Sequence, residues 1–439
     1  MRQPAIADLI VKGGTIITMD PAAPELENHS LAVKDGKIAA IYPSSETFWS
    51  APEILDASDC LLIPGLINTH SHLPMTYFRG LADDLPLDIW LREYIWPMEA
   101  KILNAQVIHD ATLHGACEML KNGISMSHDM YFNMPAIADA CTEAGLRVII
   151  GEAVIDARVS DGSLPGTQIR ELRQRYKDNP LVDFDLPPHS IYACSRSTLE
   201  KCIQAARELD VLLHIHLSET EAEVQNCLKE QGKRPVHYLN ELGMLDQRVL
   251  LAHAIWVDAS EIEVLAAKGV SIASCTDSNL KLSSGILPLK SYLDQGVNVS
   301  LATDGVASNN DLDLLSELGN TARLHKAINR DPAFLPAKEA LKLVTINAAK
   351  ALGVDHLRGS LEVGKDADIC VMGLNDLQSQ PLYNPYSHLV YALGSRHVRD
   401  MVVAGRVVLR NGQLTQADET ELVATAKAYG LRIKAELGQ

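Results

Sequence analysis

The chain has 439 residues, 47% apolar and 22% charged, which fits a water-exposed globular protein of one large domain plus a smaller one. Its 39 basic and 56 acidic residues give a formal net charge of −17, which disfavours nucleic acid and acidic membrane surfaces as partners. No apolar run approaches the ~18 residues needed to span a bilayer, and Met1-Arg-Gln-Pro-Ala5 lacks the apolar segment of a secretory signal.

Residues 6–60 read as short strands and turns. Leu9–Met19 is followed by Ser30–Ile41, with Asp35-Gly36 as a hairpin signal. The C-terminal part has the same texture in Ala367–Met372 and Val398–Leu409, with turn candidates at Ala404-Gly405 and Asn411-Gly412. Strand-rich segments at both ends can pair with each other, so residues 1–60 and 356–439 are expected to form one small β-domain.

Between them, residues 61–355 alternate apolar strands with helical patterns. The expected strands are Leu61–Asn68, Ile124–Met130, Arg147–Ile155, Val182–Leu186, Val211–Leu217, Val249–His253, Val270–Ser274 and Val297–Thr303. Capping boxes are expected at Ser197-x-x-Glu200, Thr220-x-x-Glu223 and Asp258-x-x-Glu261. Strand–helix repeats of this kind predict an α/β fold, a TIM-type (β/α)8 barrel. The eight cysteines form no C-x-x-C pair and mostly lie in apolar surroundings, so reduced core cysteines and a cytoplasmic location are expected.

The polar residues fall at one end of these strands, where such barrels carry their active sites. Strand 1 ends in His70-x-His72, whose alternate spacing lets both imidazoles face one point. Strand 2 carries Asp129, strand 4 leads to His189, strand 5 to His216, strand 6 to His253 and strand 8 to Asp304. A catalytic metal needs about three or four protein ligands plus a water, and His70, His72, His216 and Asp304 supply two imidazoles, a third from across the barrel, and a carboxylate. His214 shares the face of His216 but lies farther from the strand end, and reads as a core or supporting histidine. Glu219 lies just beyond strand 5, placed to carry protons between water and a ring nitrogen, or else to begin the next helix. His253 is placed to orient the attacking water, and Asp304 to take its proton; the plainer reading of Asp304 is a turn before Gly305. His109, His114, His237 and His325 lie on helix patterns and receive no role.

The motifs Pro64-Gly-Leu-Ile-Asn-Thr-His-Ser-His72, His214-Ile-His-Leu-Ser-Glu-Thr220, Leu251-Ala-His253, Ser278-Asn-Leu-Lys-Leu282 and Thr303-Asp-Gly-Val-Ala-Ser-Asn-Asn310 resemble the amidohydrolase superfamily. Within it the chain looks like the 5′-methylthioadenosine/S-adenosylhomocysteine deaminases. The resemblance spans the chain, including Gly359–Asp368, where that family returns to its β-sandwich. It implies a sandwich from 1–60 and 356–439 with a C-terminal helix, around a barrel of 61–355. It further implies one divalent metal per subunit on His70, His72, His216 and Asp304, usually zinc, with iron or manganese left open by N/O ligands.

The implied reaction is hydroxide attack on C6 of adenine, with Glu219 protonating N1, His253 and Asp304 handling the water proton, and ammonia leaving. Glu99 falls where the family binds ribose hydroxyls and His189 at a second substrate contact, while Thr76–Trp96 resembles its lid. The implied partner is a small nucleoside, in a family whose members are often homo-oligomers. Some relatives grip the carboxylate of S-adenosylhomocysteine with an arginine after strand 3; here the region 156–175 offers Arg158 and Arg170, neither of which aligns with that arginine, so 5′-methylthioadenosine is favoured over S-adenosylhomocysteine. Ser274-Cys275 and Ser190-Ile-Tyr192 also depart from common family patterns and bear on specificity. Two other readings are a related aminohydrolase acting on guanine, a pterin or a triazine, and a non-catalytic binding scaffold; the second expects ligand positions to be lost, and none is.

Overall fold

Pro64-Gly65 divides the first apolar run into two strands that belong to different sheets. In the computed structural model, which describes residues 4–158 and 165–437, Cys60–Pro64 pairs with Ile369–Gly373 and Thr15–Ile17. The chain then resumes as Leu66–Ser71 beside Ile124–Tyr131. Gly65 is needed at the break, because an added Cβ would lie 2.3 Å from Ser125 Oγ. The expected single strand 61–68 is therefore two, and His70 sits on the second.

Eight parallel strands follow the expected order: β1 (Leu66–Ser71), β2 (Ile124–Tyr131), β3 (Arg147–Glu152), β4 (Val182–Phe184), β5 (Leu213–Leu217), β6 (Val249–His253), β7 (Ser271–Ser274) and β8 (Asn298–Leu301). They form two four-stranded sheets, β1-β2-β3-β4 and β5-β6-β7-β8. Register is set by pairs such as Met126 with Arg147, Leu213 with Val249, and Ile272 with Val299. Bridges join Leu186 to Leu213 and Ser190 to His216 at one seam, and Ser71 to Asp304 at the other. All eight residues of β2 are buried, as expected of parallel strands covered on both faces.

Several of the helices between these strands are opened by side-chain caps. Asn104 accepts from the amides of Gln106 and Val107 to open Ala105–Lys121, a contact of the kind worth about 1 kcal/mol. The expected box at Asp258 and Glu261 is complete. The other two differ. The helix expected from Ser197 is capped by Ser195, and Glu223 turns away from the Thr220 amide to accept from Glu219 N at 2.9 Å.

Two other sheets of four strands or more lie apart from β1–β8, the first drawing on both terminal regions and the second on the N-terminal region alone. One has seven strands in the order Gln413–Leu414, Arg406–Arg410, Val398–Val403, Ile369–Gly373, Cys60–Pro64, Thr15–Ile17, Glu25–Glu27. The other has Lys37–Pro43, His29–Lys34, Leu9–Lys12 and Glu53–Asp56. Leu9, Val11, Leu31 and Leu55 from the second share one buried cluster with Ile16, Leu62, Ile369 and Val402 from the first. Arg147 at the start of β3 is buried against this terminal region, with Nε 2.8 Å from Asp368 Oδ2. Glu419–Glu436 closes the chain as a helix, and Tyr429 donates to Asp110 at 3.0 Å.

Candidate active site

Three imidazoles and one carboxylate converge beyond the ends of β1, β5 and β8. The ligand atoms of His70, His72 and His216 all lie within 4.8 Å of one another. Asp304 Oδ1 is 3.4 Å from His70 Nε2 and 3.3 Å from His72 Nε2. The far nitrogen of each ring is already engaged. His72 Nδ1 donates to the Met130 carbonyl at 2.6 Å, His216 Nδ1 to the His189 carbonyl at 2.8 Å, and His70 Nδ1 meets His214 Nε2 at 2.9 Å. A proton on each Nδ1 leaves the Nε2 lone pairs directed at one another.

His70 Nε2 is fully buried without a hydrogen-bond partner, a costly arrangement unless something fills the space it faces. Burial pushes the His70 imidazole down to about 3, so the ring is neutral and its lone pair free. Burial opposes ionisation of Asp304, but hydrogen bonds and charge from His70 and His72 hold its carboxyl well below the usual range. Burial lowers the His216 pKa as well, whereas for His72 burial is outweighed by the hydrogen bond and charge of Asp304, which raise its pKa. Three imidazole nitrogens and a carboxylate oxygen turned toward one point suit a divalent transition metal.

The backbone at the strand ends is bent to deliver these groups. Ser218, His253 and Asp304 have φ of 50°, 68° and 63°, in the left-handed region that non-glycine residues seldom occupy. His253 Nδ1 donates to Asn279 Oδ1 at 2.8 Å, leaving Nε2 3.8 Å from Glu219 Oε2. The other Glu219 oxygen accepts from Ser284 Oγ at 3.2 Å. Burial raises the Glu219 pKa, with His253 opposing and Asp304 adding to the rise. Glu223, which holds the Glu219 backbone, is pushed up to about 7 by burial.

One cavity brings together seven of the residues singled out in the sequence: His72, Glu99, His189, His216, Glu219, His253 and Asp304 all line it. His70 is fully buried beside it. The rest of the wall is mainly apolar, with Met75, Trp90, Leu91, Met130, Phe132 and Leu282. The stretch resembling a lid is not simply a loop: Leu73–Phe78 is a 3-10 helix, and residues 87–102 are helical, presenting Leu87, Trp90 and Leu91 to the cavity.

Glu99 accepts a hydrogen bond from the Tyr131 hydroxyl, and burial raises its pKa against that bond. The His189 ring packs against His216 with centroids 4.7 Å apart. Asp129 does not line the cavity; its Oδ1 accepts from Leu73 N at 2.6 Å and Ser71 Oγ at 3.0 Å, fixing the turn after His72. The Arg158 guanidinium stacks 3.6 Å from the Phe132 ring centroid, beside the cavity wall, whereas Arg170 lies on the exposed side of the helix Ile169–Arg175. Tyr131, Asn279 and Ser284 escaped the sequence reading as individuals, although Asn279 lies inside a motif that it flagged, and Glu223 was read only as a helix-capping residue.

Residues 61–408 match the amidohydrolase family. The chain is 42% identical over 432 residues to a 5-methylthioadenosine/S-adenosylhomocysteine deaminase of Thermodesulfovibrio yellowstonii, covering 97% of this chain and 98% of the relative. It is 40% identical over 404 residues to a 5′-deoxyadenosine deaminase of Methanothermobacter thermautotrophicus, covering 91% and 93%. Among solved structures, an adenosine deaminase from Xanthomonas campestris with bound zinc superposes with a TM-score of 0.93 at 35% identity, covering 99% of this chain and all of that one.

Proposed function

The chain belongs to the amidohydrolase family, and from that premise we propose that it deaminates the adenine ring of a 5′-modified adenosine, releasing ammonia and the inosine analogue. It is a hydrolase acting on carbon–nitrogen bonds. The observation that carries the proposal is the convergence of His70, His72, His216 and Asp304 Oδ1 at a cavity that also holds Glu219 and Glu99.

In this reading His70, His72, His216 and Asp304 hold one divalent ion, with zinc favoured by the zinc-bound Xanthomonas structure. Such an ion lowers the pKa of water enough to supply a nucleophile at neutral pH. Glu219, whose pKa burial raises, gives a proton to ring N1 as C6 is attacked and regains one from the C6 hydroxyl as ammonia leaves. His253, fixed by Asn279, offers Nε2 as a hydrogen-bond partner to the attacking water, and Asp304 takes that water's proton for delivery to the leaving amine. Glu99 accepts hydrogen bonds from the ribose hydroxyls, its position fixed by Tyr131, and His189 makes a further contact to the substrate.

The apolar wall from Met75 to Leu282 favours 5′-methylthioadenosine over adenosine, because a thioether gains from burial where a 5′-hydroxyl loses hydrogen bonds to water. We read the eight parallel strands within 61–355 as a closed (β/α)8 barrel. The two terminal sheets, expected from 1–60 and 356–439 but reaching Pro64 through the strand Cys60–Pro64, read as a β-sandwich sharing one core. A cytoplasmic location is part of the proposal, supported by eight buried free cysteines and by the lack, among the described residues, of any helix long and apolar enough to cross a membrane.

The test is ammonia release by zinc-loaded protein from 5′-methylthioadenosine, S-adenosylhomocysteine and adenosine, with guanine and a pterin as controls. Turnover of the thioether nucleosides is expected to exceed that of adenosine. Ammonia from a control alone would reassign the substrate, and silence throughout would overturn the deaminase reading.

A further inference from the structure

Behind the converging ligand atoms lies a second set of buried polar side chains that the deamination scheme does not use. His128, Asp185 and His214 come from β2, the residue after β4, and β5, and none is more than 1% exposed. His214 Nε2 is 2.9 Å from His70 Nδ1, and the His214 ring stacks on His128 with centroids 4.1 Å apart. His128 Nε2 is 2.7 Å from Asp185 Oδ2, and His128 Nδ1 faces the Thr69 carbonyl at 3.1 Å. His214 Nδ1 lies 3.9 Å from the same Asp185 oxygen and, like Asp185 Oδ1, has no hydrogen-bond partner. The chain keeps a glycine where this carboxylate packs, since a Cβ on Gly151 would fall 2.2 Å from Asp185 Oδ1.

Hydrogen placement through these groups follows from one requirement. For His70 to offer its Nε2 lone pair, its proton must sit on Nδ1, donating to His214 Nε2. A neutral His214 then carries its own proton on Nδ1, on the side of Asp185. Asp185 faces both His214 and His128; His128 Nδ1 donates to the Thr69 carbonyl, so the 2.7 Å hydrogen bond between His128 Nε2 and Asp185 Oδ2 holds a further proton shared by that pair. Hydrogen bonds therefore join His70 to His214 and His128 to Asp185, and the His214 Nδ1 proton is directed at Asp185 across a 3.9 Å gap.

The ligand atoms of His128, Asp185 and His214 also lie within 4.8 Å of one another, which raises the alternative of a second cation site. The distances argue against it. A contact of 2.7 Å between His128 and Asp185 is a hydrogen bond, and leaves too little room for an ion with legs of ~2.0 Å at tetrahedral angles. His214 also has its Nε2 engaged by His70.

We propose that His128, Asp185 and His214 form a buried relay that fixes the ring orientation and proton position of His70, and so sets the affinity of the site for its divalent cation. They are positioning residues, and the proposal rests on the metal-site reading above. Outer partners of this kind typically change metal affinity by 10–100-fold.

The experiment is competition for zinc between a chromophoric chelator and the metal-free protein, for the unaltered chain and for Asp185→Asn, His214→Leu and His214→Gln. Asp185→Asn and His214→Leu are expected to weaken zinc binding about 10–100-fold. His214→Gln keeps an acceptor for the His70 proton and is expected to recover most of that loss. Unchanged affinity in the first two overturns the relay, and equal loss in all three assigns the effect to packing and overturns it too. An unaltered chain that binds no divalent ion overturns the metal-site reading itself. A second measurement needs no variant: nitrogen-15 spectra of the zinc-loaded protein are expected to show His70 and His214 both protonated at Nδ1, and a His214 protonated at Nε2 overturns the relay.

Discussion

Ser278 Oγ lies 2.6 Å from Asp304 Oδ2, and Ser308 donates to the same oxygen at 3.0 Å. The other carboxylate oxygen accepts from Gly305 N at 2.7 Å while facing His70 and His72. Each oxygen therefore has a separate duty: Oδ2 is tied down by hydroxyls and Oδ1 is turned toward the imidazoles. The neighbouring Asn279 fixes His253, so one short helix, Thr276–Lys281, orients two strand-end residues. Ser278→Ala frees the carboxylate to rotate. Its zinc affinity is expected to fall about tenfold, as for other partners of ligating carboxylates. Chelator competition on the purified variant checks this, and an unchanged affinity would leave Ser308 and Gly305 as sufficient support.

The sequence made visible what depends on neighbours along the chain. His70, His72, His216, His253 and Asp304 each end or follow an apolar run, so a local pattern locates them, and all but the buried His70 line one cavity. Other residues depend on contacts across strands. Ser278 reaches Asp304 over 26 positions, Tyr131 reaches Glu99 over 32, and His128 reaches Asp185 over 57, none of which leaves a local trace. Glu223 was misleading for a different reason. Its spacing from Thr220 satisfies a capping rule, but the tight turn at Ser218 brings the Glu219 amide within its reach. The division at Pro64-Gly65 was hidden because Leu61–Ile67 is uniformly apolar, and the break needs only a proline and a glycine.

Glu219→Gln separates proton transfer from architecture. The amide keeps an oxygen for Ser284 and the same volume beside His253, so zinc content is expected to match the unaltered protein. Without an acidic proton for ring N1, kcat is expected to fall by about 10²–10⁴. Metal analysis and steady-state rates on the same sample check both halves. Full turnover would remove Glu219 from the proton path.

Glu99 and Tyr131 together test ribose recognition. The Tyr131 hydroxyl occupies Oε1, so Oε2 is the oxygen assigned to the sugar. Losing a hydrogen bond to a charged acceptor costs about 1.5–3 kcal/mol, so Glu99→Gln is expected to lower kcat/KM about 10–150-fold, chiefly through KM. Tyr131→Phe leaves the carboxylate in place and is expected to cost only several-fold. The control is 2′,3′-dideoxyadenosine, which lacks the hydroxyls in question. If Glu99→Gln slows it as much as the natural nucleosides, Glu99 acts on something other than ribose.

His325 gives a pH dependence away from the active site. It lies on the helix Leu314–Asn329, is 1% exposed, and has no hydrogen-bond partner for Nδ1. Burial pushes its imidazole down to about 4, against ~6.5 in an unfolded chain. Between those values the unfolded chain binds a proton that the folded one refuses, so stability falls as the pH drops through the window and is regained above it. From pH 7 to pH 5 this one side chain is expected to remove about 2 kcal/mol. His325→Leu takes away the titrating group, and its loss of stability over the same interval should be smaller by that amount. Urea unfolding of both metal-free proteins at the two pH values measures the difference, with metal linkage removed from both. Equal losses would mean that the His325 ring already finds a way to hold its proton in the fold.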